Sequence, residues 1–513
     1  MAERDRAQGV CGSSKVAAVI QGIRTEGRGG KAVSRWTRSL NHPATLAVLV
    51  VLIGALSHVL VSLHRANADT LLGSLMSTRK LTFYYWDQDR LANVVPALAS
   101  VVRSIEPNLH LQVTLFAAGT GGVFALFLAL NARAFGIRSP LLIPVGTALA
   151  IASTHLWFEP HALHILTLEQ VYALTYLFLI GGILLLRSTL QRAAVGSVLI
   201  VTAIVMNPSA VLLAPVAIAT YLSAGERHAA ARTFFISGIG FGVAQVTSRH
   251  FGANPNSAYY ELDLGQSVRN WNVVAQNIAD TLVSPPIRVI VVMAVVFIVV
   301  ARPRARWWWV LSLSGGVTAL AWMFIFGGVL WVEMNLLYFR YFYPVYLVLM
   351  FLIAAGLASA GALVERRINL PVLSRRSHYV AVVAALGVVA ALWLQLPRLE
   401  QIDSVAAVAG PIEATKQSGS RYVVGSYWDV WPTVIALADE GYEAYGIANR
   451  GAVLREELNA QLAADLVGGA EVPVTCINVP ADECNQRLSE MSGISTQLST
   501  VDDKPGVIFV TQP

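Results

Sequence analysis

Charged residues are scarce in this chain of 513 residues. They make up 13% of it, whereas 55% of the residues are hydrophobic. This balance excludes an ordinary soluble protein and indicates a membrane protein. Cysteine is scarce as well, and of the three residues only Cys476 and Cys484 lie close together in sequence. A disulfide and two free thiols are both compatible with that spacing. We detect no internal repeats, which disfavours transporters built from inverted repeats.

Long apolar segments predict membrane-spanning helices, each of which needs about 20 apolar residues. The stretch 193–222 is apolar but broken at Asn207-Pro208, because proline removes a backbone donor and clashes with the preceding turn. It forms either a hairpin of two short helices or one kinked helix. The other predicted spans are 45–64, 112–132, 140–156, 169–186, 233–248, 287–301, 308–328, 342–362 and 379–396.

Basic residues predict the orientation, because cytoplasmic loops carry an excess of Lys and Arg. Every second loop is basic only if 193–222 crosses the membrane twice. We therefore predict a polytopic α-helical protein of the cell inner (plasma) membrane, with about eleven spans, a cytoplasmic N-terminus and an extracytoplasmic C-terminus. The isoelectric point of 9.2 then reflects contact with anionic membrane lipids and not with nucleic acid.

Three parts of the chain differ in composition. Residues 1–42 are basic and lack a hydrophobic period, which predicts a disordered cytoplasmic tail. The polar segment is too long, and the first apolar run too extended, for a signal peptide. Residues 43–397 form the predicted transmembrane module. Its predicted outer loops are 65–111, 157–168, 249–286 and 329–341.

Residues 398–513 have the composition of a soluble domain. Strand-like segments alternate there with segments of helical spacing, which predicts a small extracytoplasmic α/β domain. It contains no glycine-rich nucleotide-binding loop. The predicted strands are 421–425, 472–477 and 506–510, and the predicted helices are 432–440, 451–465 and 481–491.

Two carboxylates in the first outer loop, Asp87 and Asp89, are candidate catalytic residues. In an extended chain they point to the same side, where they could bind Mg²⁺ or Mn²⁺, or where one could act as a general base. Arg90 beside them could contact a phosphate. The alternative is a solvated loop in which Asp89 caps a helix at 91–105 that lies along the membrane surface.

Arg340 stands at the outer end of a predicted span, against the usual preference of basic residues for the cytoplasmic side. It either binds an anionic phosphate or pairs with Glu333. Further candidate substrate contacts are carboxylates, a histidine and aromatic residues of the outer segments, which suit a carbohydrate but equally suit ordinary ordered loops and helix caps. These candidates are Glu159, His161, Tyr259, Tyr260, Glu261 and Trp428.

The order of three features resembles the GT-C superfamily of integral-membrane glycosyltransferases. They are Asp87-Gln88-Asp89 in the first outer loop, the break at Asn207-Pro208, and Arg340-Tyr341-Phe342-Tyr343-Pro344. The last is similar to the Arg-Tyr-x-x-Pro sequence of lipid-linked sugar transferases of this group. The resemblance covers 45–396, and the C-terminal domain resembles the variable outer domains of such enzymes.

The resemblance implies transfer of a sugar from a polyprenyl-phosphate donor to an extracytoplasmic glycan, lipid or protein of the cell envelope. It implies that Asp87 or Asp89 is the base and that Arg340 contacts the donor phosphate. In the family the acidic residue directly follows the first span, whereas this pair lies more than about twenty residues beyond it. The alternatives are a lipid or sugar transporter, disfavoured because the predicted spans contain almost no ionisable residues, and a non-catalytic scaffold of the same fold.

Overall fold

The computed structural model describes residues 43–88, 91–137, 142–143, 145–146, 172–252, 261–282, 285–367, 375–501 and 506–513. Within these residues the chain is mainly helical up to residue 418 and forms one small sheet beyond it. The predicted tail at 1–42 lies outside them. The first eight helices of the described residues are α1 (Pro43–Ser62), α2 (Ala68–Thr78), α3 (Val94–Ala99), α4 (Ile105–Phe135), α5 (Tyr172–Leu185), α6 (Leu190–Met206), α7 (Ala214–Ser223) and α8 (Arg227–Phe251).

Eight further helices precede the sheet in the part of the chain that the structure describes. They include the long apolar α11 and α13 and several short helices that connect them. They are α9 (Leu264–Leu282), α10 (Pro285–Ala301), α11 (Arg306–Gly327), α12 (Leu330–Met334), α13 (Tyr343–Glu365), α14 (Arg375–Trp393), α15 (Asp403–Ala406) and α16 (Ala409–Ser418).

Five helical stretches among the described residues are long and apolar enough to cross a membrane, which accords with a helical membrane protein. They are Val48–Arg65, Ile105–Phe135, Arg227–Phe251, Arg306–Gly327 and Arg340–Glu365. Five shorter apolar helical stretches have 10–17 residues and fall short of that length; they are Tyr172–Leu185, Leu190–Met206, Pro208–Ser223, Arg288–Ala301 and Ser377–Trp393. The described helices therefore do not by themselves give about eleven spans. The predicted span at 140–156 lies almost wholly outside the described residues.

The apolar stretch 193–222 turns back on itself at the predicted break. Asn207 ends α6 in an extended conformation, and its side chain accepts a hydrogen bond from the Ser209 amide at 3.2 Å. The Tyr221 hydroxyl near the end of α7 donates to the Ile183 carbonyl at 2.6 Å. Ile183 lies in the last turn of α5, and a short turn joins α5 to the start of α6, so α7 returns to the level at which α6 begins. This is the hairpin and not the single kinked helix.

Two glycines permit a close contact between α5 and α6. A Cβ atom at Gly182 of α5 would lie 2.7 Å from the Gly196 carbonyl oxygen of α6. A backbone atom at that distance cannot give way as a flexible side chain could. The two glycines therefore allow α5 and α6 to touch along their backbones.

The C-terminal domain contains a five-stranded sheet in the order β2-β1-β3-β5-β4. β1 is parallel to β2 and β3, whereas β5 is antiparallel to β3 and β4. The three predicted strands are confirmed, and two strands were missed. The strands are β1 (Tyr422–Gly425), β2 (Tyr445–Ile447), β3 (Val472–Ile477), β4 (Gln497–Val501) and β5 (Val507–Thr511), and the helices between them are α17 (Tyr427–Asp439), α18 (Arg455–Asp465) and α19 (Ala481–Ser492).

Two local expectations need correction, and a third question is settled. Of the predicted helix at 91–105, residues 94–99 form α3 and Ile105 begins α4. The chain is not helical before Val94, where Ala92 is paired with Tyr84 in an isolated bridge. The helix predicted from 432 begins five residues earlier, at Tyr427, and Ser426 is its N-cap residue. Cys476 of β3 and Cys484 of α19 form a disulfide, with 5.9 Å between their Cα atoms.

The C-terminal domain packs directly on the first loop of the helical module. Trp86 and Trp431 are fully buried and meet edge to face at 5.7 Å. Arg79 donates to the Ala444 carbonyl at 2.7 Å and lies over the Tyr445 ring at 4.5 Å. Lys80 donates to the Val453 carbonyl at 2.9 Å. The loop and the domain therefore share one apolar core with a polar rim.

Candidate functional site

The centre of the candidate site is Asp69, which follows the first long apolar helix almost directly. Asn67 caps α2, accepting a hydrogen bond from the Thr70 amide at 3.2 Å, and places Asp69 in the first turn. The side chain of Asp69 is only 3% exposed. A buried carboxylate needs polar or charged partners that replace water. Such clusters of charged groups are common at functional sites.

Two guanidinium groups bracket Asp69 from different parts of the chain. Arg340, just before α13, places Nη1 3.4 Å from Asp69 Oδ2. Arg450, from the turn after β2 in the C-terminal domain, places Nη1 2.8 Å from Asp69 Oδ1. One arginine of the helical module and one of the C-terminal domain thus pair with the same carboxylate. Two positive charges face one negative charge there.

Two tyrosines complete the cluster. The Tyr427 hydroxyl donates to Asp69 Oδ1 at 2.5 Å, and the Tyr85 hydroxyl donates to the Asp69 backbone carbonyl at 2.7 Å. The Arg450 guanidinium lies between both rings, 4.9 Å from the centre of Tyr85 and 5.0 Å from that of Tyr427. We call Asp69, Tyr85, Arg340, Tyr427 and Arg450 the Asp69 cluster.

The two phenols act as donors within the cluster. Burial, together with the charge of Asp69, raises the pKa of Tyr85 above its usual value. Burial, the nearby Tyr85 and Asp69 do the same to the pKa of Tyr427. Both hydroxyls therefore keep their protons near neutral pH and stabilise a negative charge at Asp69.

Backbone geometry holds Arg450 in place. Its φ is 72°, in the left-handed region that a residue with a side chain rarely adopts. The preceding carbonyl, that of Asn449, accepts a hydrogen bond from the indole of buried Trp431 at 3.0 Å. Strain of this kind persists where the surroundings fix the conformation, and it is common at functional sites.

A small cavity of about 20 Å³ adjoins Asp69. It is lined by the polar side chains of Asn93 and Gln112 and by the apolar Phe116, among others. This volume admits a water molecule but not a sugar. A sugar substrate would therefore need the C-terminal domain or the first loop to move away from Asp69.

Asp87, a predicted catalytic residue, lies in a turn and contacts the C-terminal domain. Its φ is 55°, and the Gln88 amide donates to the Tyr85 carbonyl at 3.0 Å, so the chain is not extended here. Asp87 Oδ2 accepts a hydrogen bond from the Ala452 amide at 3.1 Å. Burial raises the pKa of Asp87 above its usual value. The contact is that of a helix cap, and the catalytic role of Asp87 stays a prediction.

Arg340, the predicted phosphate contact, pairs with Asp69 and not with Glu333. Glu333 instead accepts a hydrogen bond from Gln266. The Arg340 guanidinium also lies 5.0 Å from the centre of the Tyr341 ring, and its Nη2 donates to the Tyr341 hydroxyl at 3.0 Å. Arg340 is therefore oriented towards the first loop of the chain, where the resemblance expects the catalytic acid.

Two predicted substrate contacts, Trp428 and Glu261, are not members of the Asp69 cluster, although the Trp428 ring meets that of Tyr427 edge to face at 5.0 Å. Trp428 is 52% exposed at the start of α17, while its neighbour Tyr427 enters the Asp69 cluster. Glu261 is exposed, and its backbone carbonyl accepts from the Leu330 amide. The other predicted site residues lie outside the described residues, and they are Asp89, Arg90, Glu159, His161, Tyr259 and Tyr260.

Sequence reasoning missed four members of the cluster: Asp69, Tyr85, Tyr427 and Arg450. For Asp69 a signal existed, because it directly follows the first apolar helix, where the resemblance expects an acidic residue. Nothing local in the sequence marks Arg450, whose role depends on a contact across 381 residues.

No group of three or more His, Cys, Asp or Glu side chains that could hold a metal occurs within the described part of the chain. Because Asp89 lies outside that part, the predicted binding of Mg²⁺ or Mn²⁺ by Asp87 and Asp89 stays a prediction.

Comparison of the chain with protein-family models and with curated protein sequences found no match.

Proposed function

We propose that the chain is a membrane glycosyltransferase of the GT-C type, which moves a sugar from a polyprenyl-phosphate donor to an extracytoplasmic acceptor. One observation carries the proposal: Asp69, directly after the first apolar helix, is bracketed by Arg340 and Arg450. The resemblance expects an acid at this place and an arginine before a late span. Asp69 therefore replaces Asp87 and Asp89 as our candidate base.

The reaction needs a base and a site that stabilises the leaving phosphate. Asp69 takes the proton of the acceptor hydroxyl, whose oxygen attacks the anomeric carbon of the sugar. The bond from that carbon to the phosphate oxygen breaks, and polyprenyl phosphate leaves with its electron pair. Arg340 and Arg450 stabilise the charge on the phosphate, since guanidinium binds phosphate oxygens bidentately.

Donor binding would also release the base. Without donor, both guanidinium groups are directed at Asp69, at 3.4 Å and 2.8 Å. A donor phosphate is a competing anion for the same groups. Once Arg340 and Arg450 turn to it, the carboxylate is free to accept a proton from the acceptor.

We further propose that the five shorter apolar helices and the segment 140–156 also cross the membrane. Together with the five long helices this gives about eleven spans, a cytoplasmic N-terminus and a C-terminal domain outside the plasma membrane. Asp69 then lies at the outer face. Its envelope acceptor and lipid donor would meet there.

The burial of Asp69 favours one rival, a non-catalytic scaffold. In that function the Asp69 cluster is only a clamp that holds the C-terminal domain against the helices. The carboxylate would matter for stability alone.

The test compares envelope glycans and glycolipids by mass spectrometry in cells that lack the protein and in cells complemented with it. A glycosyltransferase predicts that a species smaller by one sugar accumulates without the protein, and that wild type restores the full mass. Asp69→Asn should fail to restore it at normal protein level. If Asp69→Asn restores it fully, the scaffold is favoured.

A further inference from the structure

A largely apolar groove runs between α4, α5, α7, α11 and α13, and no residue of the Asp69 cluster lines it. Its volume is about 370 Å³, within the range of sites for small molecules. At one end it is lined by Pro344 and Leu347, at the start of α13. At the other end it is lined by Arg133, Arg187 and Glu226. The apolar length and the charged end together suit a ligand that has a hydrocarbon chain and a charged head.

The charges at this end sum to one positive charge, because Arg187 forms an ion pair with Glu226 while Arg133 adds a second cation. Arg133 is exposed in the last turn of α4 and makes no ion pair or hydrogen bond with other side chains of the described segments. The Arg187 guanidinium also lies 5.9 Å from the centre of the Tyr221 ring. One unbalanced guanidinium matches an anion with a single charge.

Room for a head group exists beside the same residues. A second cavity of about 430 Å³ is lined by both Arg133 and Arg187, and by Ser188. Both arginines stand in a predicted cytoplasmic loop region, where anionic phospholipids are attracted to basic pockets between helices. Guanidinium binds the two free oxygens of a phosphodiester bidentately.

We propose that this groove binds an anionic phospholipid, with an acyl chain against its apolar wall and the phosphodiester between Arg133 and Arg187. The site is distinct from the Asp69 cluster, and the proposal holds whether or not the chain is a glycosyltransferase.

Glycine supplies a matched pair of variants. Gly315 of α11 lines the groove, and a Cβ atom added there meets nothing within 4 Å. Gly315→Leu therefore adds apolar volume to the lining of the groove from a backbone position that accepts a side chain. Gly316 has equally open surroundings but is not among the groove residues. Gly316→Leu makes the same change in helix propensity and is the control. Arg133→Gln is matched by Arg192→Gln, an exposed arginine that does not line the groove.

The experiment measures binding of phosphatidylglycerol and phosphatidylcholine with identical acyl chains to the purified full chain, by native mass spectrometry. Wild type should retain phosphatidylglycerol in preference. Gly315→Leu and Arg133→Gln should each weaken that binding by on the order of tenfold. Gly316→Leu and Arg192→Gln should leave it unchanged.

Three results would overturn the proposal. Equal binding of the two lipids would show that charge plays no part. Unaltered binding in Gly315→Leu would place the lipid elsewhere. A polyprenyl phosphate that copurifies with wild type, and that Gly315→Leu removes in place of phosphatidylglycerol, would assign the groove to a different lipid.

Discussion

Asp69 and Arg450 are 381 residues apart in sequence, and their side chains meet at 2.8 Å. Asp69 lies in the first turn of α2, soon after the first apolar helix, and Arg450 belongs to the C-terminal domain. The contact means that the C-terminal domain and the membrane module both contribute residues to the site. A chain without this domain would leave Asp69 with Arg340 but without Arg450 and Tyr427.

Removal of the Arg450 charge should weaken the attachment of the C-terminal domain. Arg450→Gln leaves Asp69 buried with a single cation, and loss of one partner of a buried pair costs about 2–5 kcal/mol. We expect a lower unfolding midpoint of the purified chain in detergent. Arg421→Gln is the control, because Arg421 is exposed in the same domain. An equal effect of both variants would refute a specific role of Arg450.

The buried carboxyl of Asp87 predicts a pH effect on stability. Its pKa is raised in the folded chain, so the folded state holds the proton more tightly than the unfolded state does. The contribution of Asp87 to the free energy of unfolding is therefore greatest below the ordinary pKa of 3.8 and falls as the pH rises through the raised pKa. In Asp87→Asn the free energy of unfolding should lack this fall with rising pH.

The measurement is the unfolding midpoint of wild type and Asp87→Asn at several pH values from about 4 to 7. As the pH rises, the unfolding midpoint of Asp87→Asn should rise relative to that of wild type. A constant difference would contradict the prediction. Asp87→Ala tests the cap itself, and loss of the bond to the Ala452 amide should cost about 1 kcal/mol.

The disulfide between Cys476 and Cys484 leads to two predictions, one for the stability of the C-terminal domain and one for the side of the membrane on which the domain lies. It closes a short loop with a sequence separation of 8 residues, and loops of this size gain about 2–3 kcal/mol from a disulfide. Cys476→Ser with Cys484→Ser should lower the unfolding midpoint of the C-terminal domain. In intact cells, both thiols should resist alkylation until a reductant is added, because disulfides persist outside the cytoplasm. Thiols that alkylate without reductant would contradict an extracytoplasmic domain.

Much of the secondary structure could be predicted from the sequence, because its signals are local. Apolar runs predicted the long helices, although α4 begins at Ile105, seven residues before the predicted 112. β-Branched runs predicted β1, β3 and β5. β2 was missed because it has only 3 residues, and β4 because its sequence Gln497–Val501 is mostly polar. Neither carries a hydrophobic pattern long enough to detect.

The candidate site could be predicted only in part, because it is built from distant segments. Arg340 was identified, since a basic residue at the outer end of a span is unexpected. Tyr427 was passed over in favour of its neighbour Trp428, since sequence spacing does not tell which of two adjacent aromatic side chains is buried. Tyr85 lay within the aromatic segment around Asp87, but its link to Asp69 depends on the fold of the first loop.

The central claim is that Asp69 is the base and that Asp87 is a cap. The most direct measurement is sugar transfer by the purified full chain, with Asp69→Asn and Asp87→Asn compared at equal folded protein. We predict that Asp69→Asn lowers the rate by about 10²–10⁴-fold, the contribution of a general base, and that Asp87→Asn stays within a few-fold of wild type. Full activity of Asp69→Asn, or an inactive but folded Asp87→Asn, would contradict the account.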